Sequence, residues 1–164
     1  MLSCVRSQKK MENRRGSWYT YKERLRFDRS ERTYAMKNIL FIGTGGTIAS
    51  EMSDGALSPA LTAAQLLHHI PEVSDICRVD AVQLFTLDST DITPTHWLRI
   101  ADEIINNYDR YDGFVISHGT DTMAYTAAAL SYLIQGARKP IILTGAQKPI
   151  SFDSTDSKVN LTDA

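Results

Sequence analysis

The chain has 164 residues, about the length of one domain, and 43% of them are hydrophobic, which is enough for a packed core. No apolar stretch approaches the roughly 18 residues that span a membrane, and the basic start lacks the apolar segment of a secretory signal. Two cysteines form no disulfide framework, so we expect a protein of the reducing cytoplasm with no membrane partner.

The formal net charge of −1 conceals two different regions. Residues 1–37 carry 11 Lys and Arg against 4 Asp and Glu, whereas residues 38–164 carry 7 against 15. The basic region has few aliphatic residues and no period, which predicts a disordered extension over 1–36, or sequence upstream of a true start at Met36. Its aromatic residues could stack on nucleic-acid bases, an alternative that we do not favour. A folded domain is expected over 37–164.

The first predicted strand is the apolar run NILFI, residues 38–42, which ends at the glycines of TGGT. The polar segment 50–60 is predicted to be a flexible loop. A helix follows it, because Thr62 and Gln65 match a capping box and Pro71 stops the helix.

Strands and helices continue to alternate along the rest of the chain. The predicted elements are a strand at 77–87, a helix capped by Thr93 with Pro94 at its first position, a strand at 113–117, a helix at 122–135 stopped by Gly136, a strand at 140–145 and the start of a helix in KVNLTDA. This alternation predicts an α/β fold with a parallel or mostly parallel sheet and helices on both faces.

Small polar residues follow all four predicted strands of the sheet, at 44–47, 88–91, 118–121 and 144–147. The carboxyl ends of parallel strands share one edge, where ligands of such sheets bind. The sequence therefore predicts one site at this edge.

Three common kinds of site do not fit these clusters. Gly43 and Gly45 begin a dinucleotide fingerprint, but Ile48 stands where its third glycine belongs, and no P-loop lysine follows. The histidines lack the spacing of a metal site, so we expect no metal. His118 is interpreted as a residue that stabilises a turn by hydrogen bonding.

Hydroxyl chemistry remains, since short alcohols and one carboxylate occupy the predicted edge: Thr47, Ser89, Thr90, Thr120 and Asp121. A threonine hydroxyl needs a nearby base to act as a nucleophile, and backbone N–H groups of glycine-rich turns can stabilise an oxyanion. The alternative is that these residues serve only as turn and cap residues.

Two segments, TGGTIA (44–49) and DGFVISHGTDTMAYTA (112–127), resemble the L-asparaginase family. DSTD (88–91), LTGAQKP (143–149) and SFDSTDSKVNL (151–161) are similar to its cytoplasmic, type I branch. The resemblance covers residues 38–164 and implies the three-layer fold of the family's N-terminal domain. It also implies hydrolysis of L-asparagine to L-aspartate and ammonia without a metal or cofactor.

The resemblance assigns roles residue by residue. The nucleophile falls on Thr47, and Thr44 becomes a loop residue. A second catalytic pair falls on Thr120 and Asp121, within a Thr–Lys–Asp group. The substrate's α-carboxylate and α-amino groups would be held by Ser89, Thr90, Thr120 and Asp121, and loop or oxyanion support would come from Gly45, Gly46 and Gly119.

The sequence departs from the family pattern in three places. The segment EMSDGALSPAL lacks the tyrosine that often supports the nucleophile, and neither Lys148 nor Lys158 matches the lysine of the Thr–Lys–Asp group. The second domain, which completes a neighbouring subunit's site in family dimers and tetramers, is not in this sequence. We therefore expect a fold that is incomplete at its C-terminus, with an unpaired sheet edge, little or no activity of the 164 residues alone, and no stable family-type homo-oligomer.

Two other functions remain open at this point. Amidotransferase or glutaminase subunits that act with aminoacyl-tRNA share TGGT and HGTD with this sequence. A non-catalytic module that binds an amino acid is the alternative from another class.

Overall fold

A computed structural model of the protein describes residues 11–12, 18–19, 35–53 and 55–164. The chain divides into two compact units, Met1–Ala35 and Met36–Ala164. In the first unit, β1 (Met11–Glu12) pairs antiparallel with β2 (Trp18–Tyr19). Apart from residues 35–36, the remainder of the predicted disordered extension lies outside the described residues.

The second unit alternates strands and helices. Its strands are β3 (Lys37–Gly45), β4 (Ser50–Ser53), β5 (Ala56–Pro59), β6 (Cys77–Leu87), β7 (Gly113–Ser117) and β8 (Ile141–Thr144). Its α-helices are α1 (Ala63–His68), α2 (Pro94–Asn107), α3 (Met123–Leu133) and α4 (Ser157–Asp163), and short 3-10 helices span Thr47–Ala49, Pro71–Asp75 and Ser89–Asp91.

Four strands form a parallel sheet in the order β6-β3-β7-β8. β3 pairs with both β6 and β7, and β7 pairs with β8, in parallel register throughout. The predicted α/β fold with a parallel sheet is confirmed. Because all four strands point the same way, their carboxyl ends lie along one edge, which we call the carboxyl edge.

Helices cover both faces of this sheet, as predicted. Alternate residues of β3 divide between the two faces, with Leu40 and Ile42 in one buried cluster and Phe41 in the other. The first cluster contains Ile100 and Ile104 of α2 together with Leu130 of α3, and the second contains residues of α1 and α4. Each fully buried aliphatic side chain contributes about 1.5–3 kcal/mol to stability.

Local signals fix where two of the helices begin. The capping box at α1 is confirmed, since the Gln65 side chain accepts the Thr62 N–H at 2.8 Å and the Gln65 N–H donates to Thr62 Oγ1. At α2, His96 takes the place of the usual Glu or Gln, and its Nδ1 accepts the Thr93 N–H at 2.9 Å.

The prediction of a flexible loop over 50–60 is wrong. β4 and β5 form an antiparallel hairpin in which Ser50 pairs with Pro59. Gly55 takes a φ of 81° at its turn, a conformation that glycine adopts without steric cost. The polar and small residues of this segment hide the strand pattern from the sequence.

Candidate active site at the carboxyl edge

The strand order places a topological switch point between β3 and β7. Across the sheet, the strands that come second, first, third and fourth in the chain lie side by side. The connection that leaves β3 therefore runs towards one side of the sheet, and the connection that leaves β7 runs towards the other. Ligands of open α/β sheets bind at such a point, beyond the carboxyl ends of the two strands. Two of the predicted clusters, 44–47 and 118–121, follow these two strands.

Glycines bring three strand ends into backbone contact. Gly46, after β3, has φ 80° and donates its N–H to Leu87 O at 2.9 Å, at the end of β6. A Cβ added to Gly46 would lie 2.6 Å from Gly119 Cα, and one added to Gly119 would lie 2.6 Å from Ser89 Cβ. Neither position has room for a side chain. The turns that carry Thr47, Ser89 and Thr120 are therefore direct neighbours.

The two threonines of TGGT have different environments. Thr44 is buried, and its hydroxyl donates to Ser117 O at 2.6 Å. It lies within β3, so the expectation that Thr44 is a loop residue is wrong, because the strand continues to Gly45 through pairing with Leu87 of β6. Thr47 begins a 3-10 helix and is half-buried, and its hydroxyl has no hydrogen bond to residues 35–53 or 55–164. Thr47 is the threonine whose hydroxyl is available to a ligand.

The turn after β6 is fixed by a carboxylate. Asp88 Oδ1 accepts the Thr90 N–H at 2.9 Å and the Thr90 hydroxyl at 2.8 Å. The Thr90 N–H, and to a lesser extent the Thr90 hydroxyl, hold the pKa of Asp88 below its usual range. The carboxylate is therefore ionised at neutral pH. Ser89 is buried and Thr90 is exposed. Since the Thr90 hydroxyl donates its hydrogen bond to Asp88, the lone pairs of its oxygen remain able to accept one.

The turn after β7 contains a buried histidine. His118 is 0% exposed, its Nδ1 lies 2.8 Å from Gly119 O, and its Nε2 lies 2.9 Å from Thr126 Oγ1. The interpretation of His118 as a turn-stabilising residue agrees with these contacts. Burial lowers the pKa of the imidazole, partly opposed by the Gly119 hydrogen bond. Thr120 is half-buried beyond it and Asp121 is exposed.

A groove of about 440 Å³ opens between this turn and the end of β8, within the usual size range of small-molecule pockets. Its lining includes Thr120, Gly145, Gln147, Asp156 and Asn160, but not Thr47, Ser89 or Asp121. The Asp156 carboxylate accepts the Gln147 N–H at 3.0 Å and a proton of the Asn160 amide at 3.2 Å. These bonds fix the loop that forms the far wall of the groove.

The structure thus places the turns of all the predicted site residues along one edge, although their roles remain predictions. Lys148 and Lys158 are both exposed, and the Lys148 N–H donates to Asp156 rather than its side chain entering the turns. Sequence reasoning missed Trp97 and Thr126, which hydrogen-bond each other beneath His118. Thr126 follows His118 by 8 residues, a spacing that matches no motif, and Trp97 comes from a separate helix 29 residues before Thr126, so no local signal points to either.

In the described part of the chain, no three His, Cys, Asp or Glu side chains converge as metal ligands. No helix within that part has the length and apolarity needed to cross a membrane.

Known proteins match the part of the chain that carries this edge. The family model described as "Asparaginase, N-terminal" matches residues 38–164. The chain is 43% identical over 129 residues to a glutamyl-tRNA(Gln) amidotransferase subunit from Pyrococcus horikoshii, covering 77% of the chain and 30% of that protein.

Solved structures show the same relationship. L-asparaginase I from Vibrio cholerae superimposes with a TM-score of 0.71 at 42% identity, over 79% of this chain and 40% of that one. The thermostable L-asparaginase from Thermococcus kodakarensis gives 0.69 at 39% identity, over 76% and 38%. The chain therefore spans well under half the length of these relatives.

Proposed function

Because residues 38–164 match the N-terminal domain of the asparaginase family, to which this chain therefore belongs, we propose that it carries the threonine-bearing part of a site that hydrolyses the side-chain amide of L-asparagine. The observation that carries the proposal is the backbone contact among the turns of Thr47, Ser89 and Thr120. Three turns that each present a hydroxyl group, with the ionised Asp88 carboxylate nearby, suit a small substrate that has both an amide and an α-ammonium group.

In the proposed reaction, the Thr47 oxygen attacks the amide carbon. A C–O bond forms, the C–N bond breaks, and the proton of the hydroxyl leaves with the nitrogen as ammonia. Water then attacks the resulting ester, releases L-aspartate and restores the hydroxyl. Thr120 and Asp121 form the second catalytic pair of the proposal, and Gly45, Gly46 and Gly119 provide loop or oxyanion support, with Gly46 serving the loop because its N–H already donates to Leu87 O.

The β6 turn supports the binding part of the proposal. Its Thr90 hydroxyl donates to the ionised Asp88, which leaves its lone pairs to accept from an ammonium group. Ser89 and Thr90 would hold the α-carboxylate and α-amino ends, and the exposed Asp121 carboxylate would face the ammonium. A substrate without its α-amino group would lose these contacts.

A chimera tests the proposed nucleophile. Residues 38–164 would replace the matching segment of the Vibrio cholerae L-asparaginase I, and ammonia release from L-asparagine would be measured. We expect turnover that Thr47→Ala abolishes, a loss of about a thousandfold or more. Thr44→Val is the matched control, since that hydroxyl is buried against Ser117 O. It should lower the melting temperature and leave kcat within a fewfold.

Near-normal kcat in a folded Thr47→Ala chimera would contradict the nucleophile assignment. The 164-residue chain alone is expected to release little or no ammonia, and a rate equal to the chimera's would contradict that expectation. A cytoplasmic location belongs to the same proposal.

A second candidate is favoured by the amidotransferase relative at 43% identity. In that case the ammonia released from a side-chain amide would be used to modify an aminoacyl-tRNA. Hydrolysis of the amide would then depend on the presence of that tRNA. The discriminating measurement compares ammonia release from L-asparagine and from L-glutamine, each with and without glutamyl-tRNA. Hydrolysis of free L-asparagine without RNA supports the first candidate, and RNA-dependent glutamine hydrolysis supports the second.

A further inference from the structure

A line of hydrogen bonds, partly buried at Trp97 and buried at Thr126 and His118, runs from α2 through α3 to the β7 turn, and the proposed reaction does not use it. Trp97 Nε1 donates to Thr126 Oγ1 at 2.9 Å. Thr126 Oγ1 lies 2.9 Å from His118 Nε2, and His118 Nδ1 lies 2.8 Å from Gly119 O. Thr126 and His118 are both 0% exposed.

Only one assignment of protons satisfies every group in this line. Gly119 O can only accept, so His118 Nδ1 carries a proton and donates it. Burial favours the neutral ring, so Nε2 carries none and accepts. The Thr126 hydroxyl must then donate to Nε2, and its lone pair receives the indole N–H of Trp97. The line is therefore directional and fixes the histidine tautomer.

The last bond of the line acts on the peptide group that joins Gly119 to Thr120. The C=O of Gly119 and the N–H of Thr120 belong to one planar trans peptide, so they point in opposite directions. With the C=O held against His118, the N–H points away from the ring. Among residues 35–53 and 55–164, that N–H donates to no other group.

Because residue 119 is a glycine, the Gly119–Thr120 peptide needs a hydrogen bond from a neighbouring side chain to fix its orientation. The close approach of Ser89 and Gly46 excludes any side chain at Gly119, and a glycine restricts its own backbone less than any other residue. Position 119 must therefore be glycine for steric reasons, and for that same reason its backbone does little to fix the orientation of the Gly119–Thr120 peptide. The side chain of His118 supplies the missing restraint.

We propose that His118, Thr126 and Trp97 are positioning residues for Thr120, which set the Gly119–Thr120 peptide plane and so the direction of the Thr120 N–H and side chain. The value of this device to catalysis rests on the proposed function, whereas the positioning itself does not. A substitution in α3 or α2 would then alter the site without touching a substrate.

Nuclear magnetic resonance of the 164-residue chain tests the positioning without any substrate. The ring nitrogens of His118 should report the neutral tautomer with the proton on Nδ1. Thr126→Val, which replaces the hydroxyl with a methyl group of similar size, should shift the Nε2 resonance and the Thr120 amide resonance. Thr126→Ser should restore both, and Trp97→Phe should produce a smaller shift of the same kind.

Ser117→Ala is the matched control, because Ser117 is buried next to His118 and its hydroxyl has no partner in the described structure. It should leave the ring and the Thr120 amide nearly unchanged. A proton on Nε2 would overturn the proposal, as would an unmoved Thr120 amide in folded Thr126→Val. If Thr126→Val does not fold, Trp97→Phe decides by the same criterion. Failure of asparagine hydrolysis in the chimera would leave these resonances unaffected, so the two proposals fail separately.

Discussion

The turns that follow β3 and β7 meet at the switch point, yet they are held by different means. In the β3 turn, Gly45 and Gly46 adopt φ values of 104° and 80°, and backbone contacts with Leu87 fix the path. In the β7 turn, the buried side chain of His118 fixes a glycine peptide through a hydrogen bond. The first turn depends on the absence of side chains, whereas the second, which also requires a glycine at position 119, depends in addition on the presence of a specific side chain.

This difference predicts where each turn is vulnerable. The β3 turn should be intolerant of any added atom at its own positions, whatever its chemistry. The β7 turn should respond to changes in α2 and α3, because Trp97 and Thr126 orient the histidine. The first weakness is steric and local, and the second is polar and remote.

The largest effect is expected for Gly46→Ala. Its Cβ would press on the Gly119 backbone, and its φ of 80° with ψ of 177° belongs to a region that is essentially open to glycine alone. We expect a loss of about 3 kcal/mol or more in the free energy of unfolding, measured by urea denaturation of the 164-residue chain.

Gly136→Ala is the control for Gly46→Ala. Gly136 also has a positive φ, 72°, but an added Cβ there meets nothing within 4 Å, so only the conformational cost of about 1–2 kcal/mol remains. Equal losses in the two variants would show that the contact between the turns contributes nothing.

An intermediate effect is expected at the third turn, after β6. This turn is held by the charged side chain of Asp88, and not by closely packed glycines or a buried histidine. Asp88→Ala should lower stability by about 1 kcal/mol at neutral pH, since the Thr90 N–H loses its acceptor. Because the folded pKa of Asp88 is lowered, its contribution is complete above the usual carboxyl pKa of about 3.9 and is lost as the pH falls through the lowered value.

The measurement is the difference in unfolding free energy between the parent protein and Asp88→Asn, between pH 3 and pH 7. Asn keeps an acceptor but does not titrate, so the difference should shrink towards acid. A difference independent of pH would mean that the hydrogen bonds, and not the charge, hold this turn.

The smallest effect is expected for Ser117→Ala at the end of β7. The buried Ser117 hydroxyl has no hydrogen-bond partner in the described structure, and removing an unsatisfied buried group is neutral or slightly favourable. Thermal unfolding should give a melting temperature equal to or above that of the parent. A clear decrease would reveal a polar partner of this hydroxyl and would make the β7 turn depend on two side chains.

Features that depend on neighbouring residues were predictable from the sequence. The Thr62–Gln65 capping box acts within one helical turn, and the alternation of apolar segments indicates a parallel sheet whichever way its strands are ordered. The common edge of the strand ends followed from the parallel arrangement alone. For the same reason, the short alcohols and the carboxylate of the edge could be named before their geometry was known: Thr47, Ser89, Thr90, Thr120 and Asp121.

Features that depend on distant residues were not predictable. In the sequence, Thr44 resembles a turn residue. Only the structure shows that its hydroxyl donates to the carbonyl of Ser117. His118 contacts Thr126 of α3, which in turn accepts from Trp97 of α2, and the spacing of these residues in the sequence carries no signal. The hairpin formed by β4 and β5 was missed because its strands contain serine and proline and alternate too briefly to show a period of two.

The hydrogen bond between Thr44 and Ser117 also has a kinetic meaning. It joins groups that are 73 residues apart in the chain, and contacts of such separation require a large loop to close before they form. The switch point cannot assemble while β7 is undocked from β3, however well the β3 turn is formed. Amide hydrogen exchange in the two turns should therefore report the same opening event, the separation of the central strand pair.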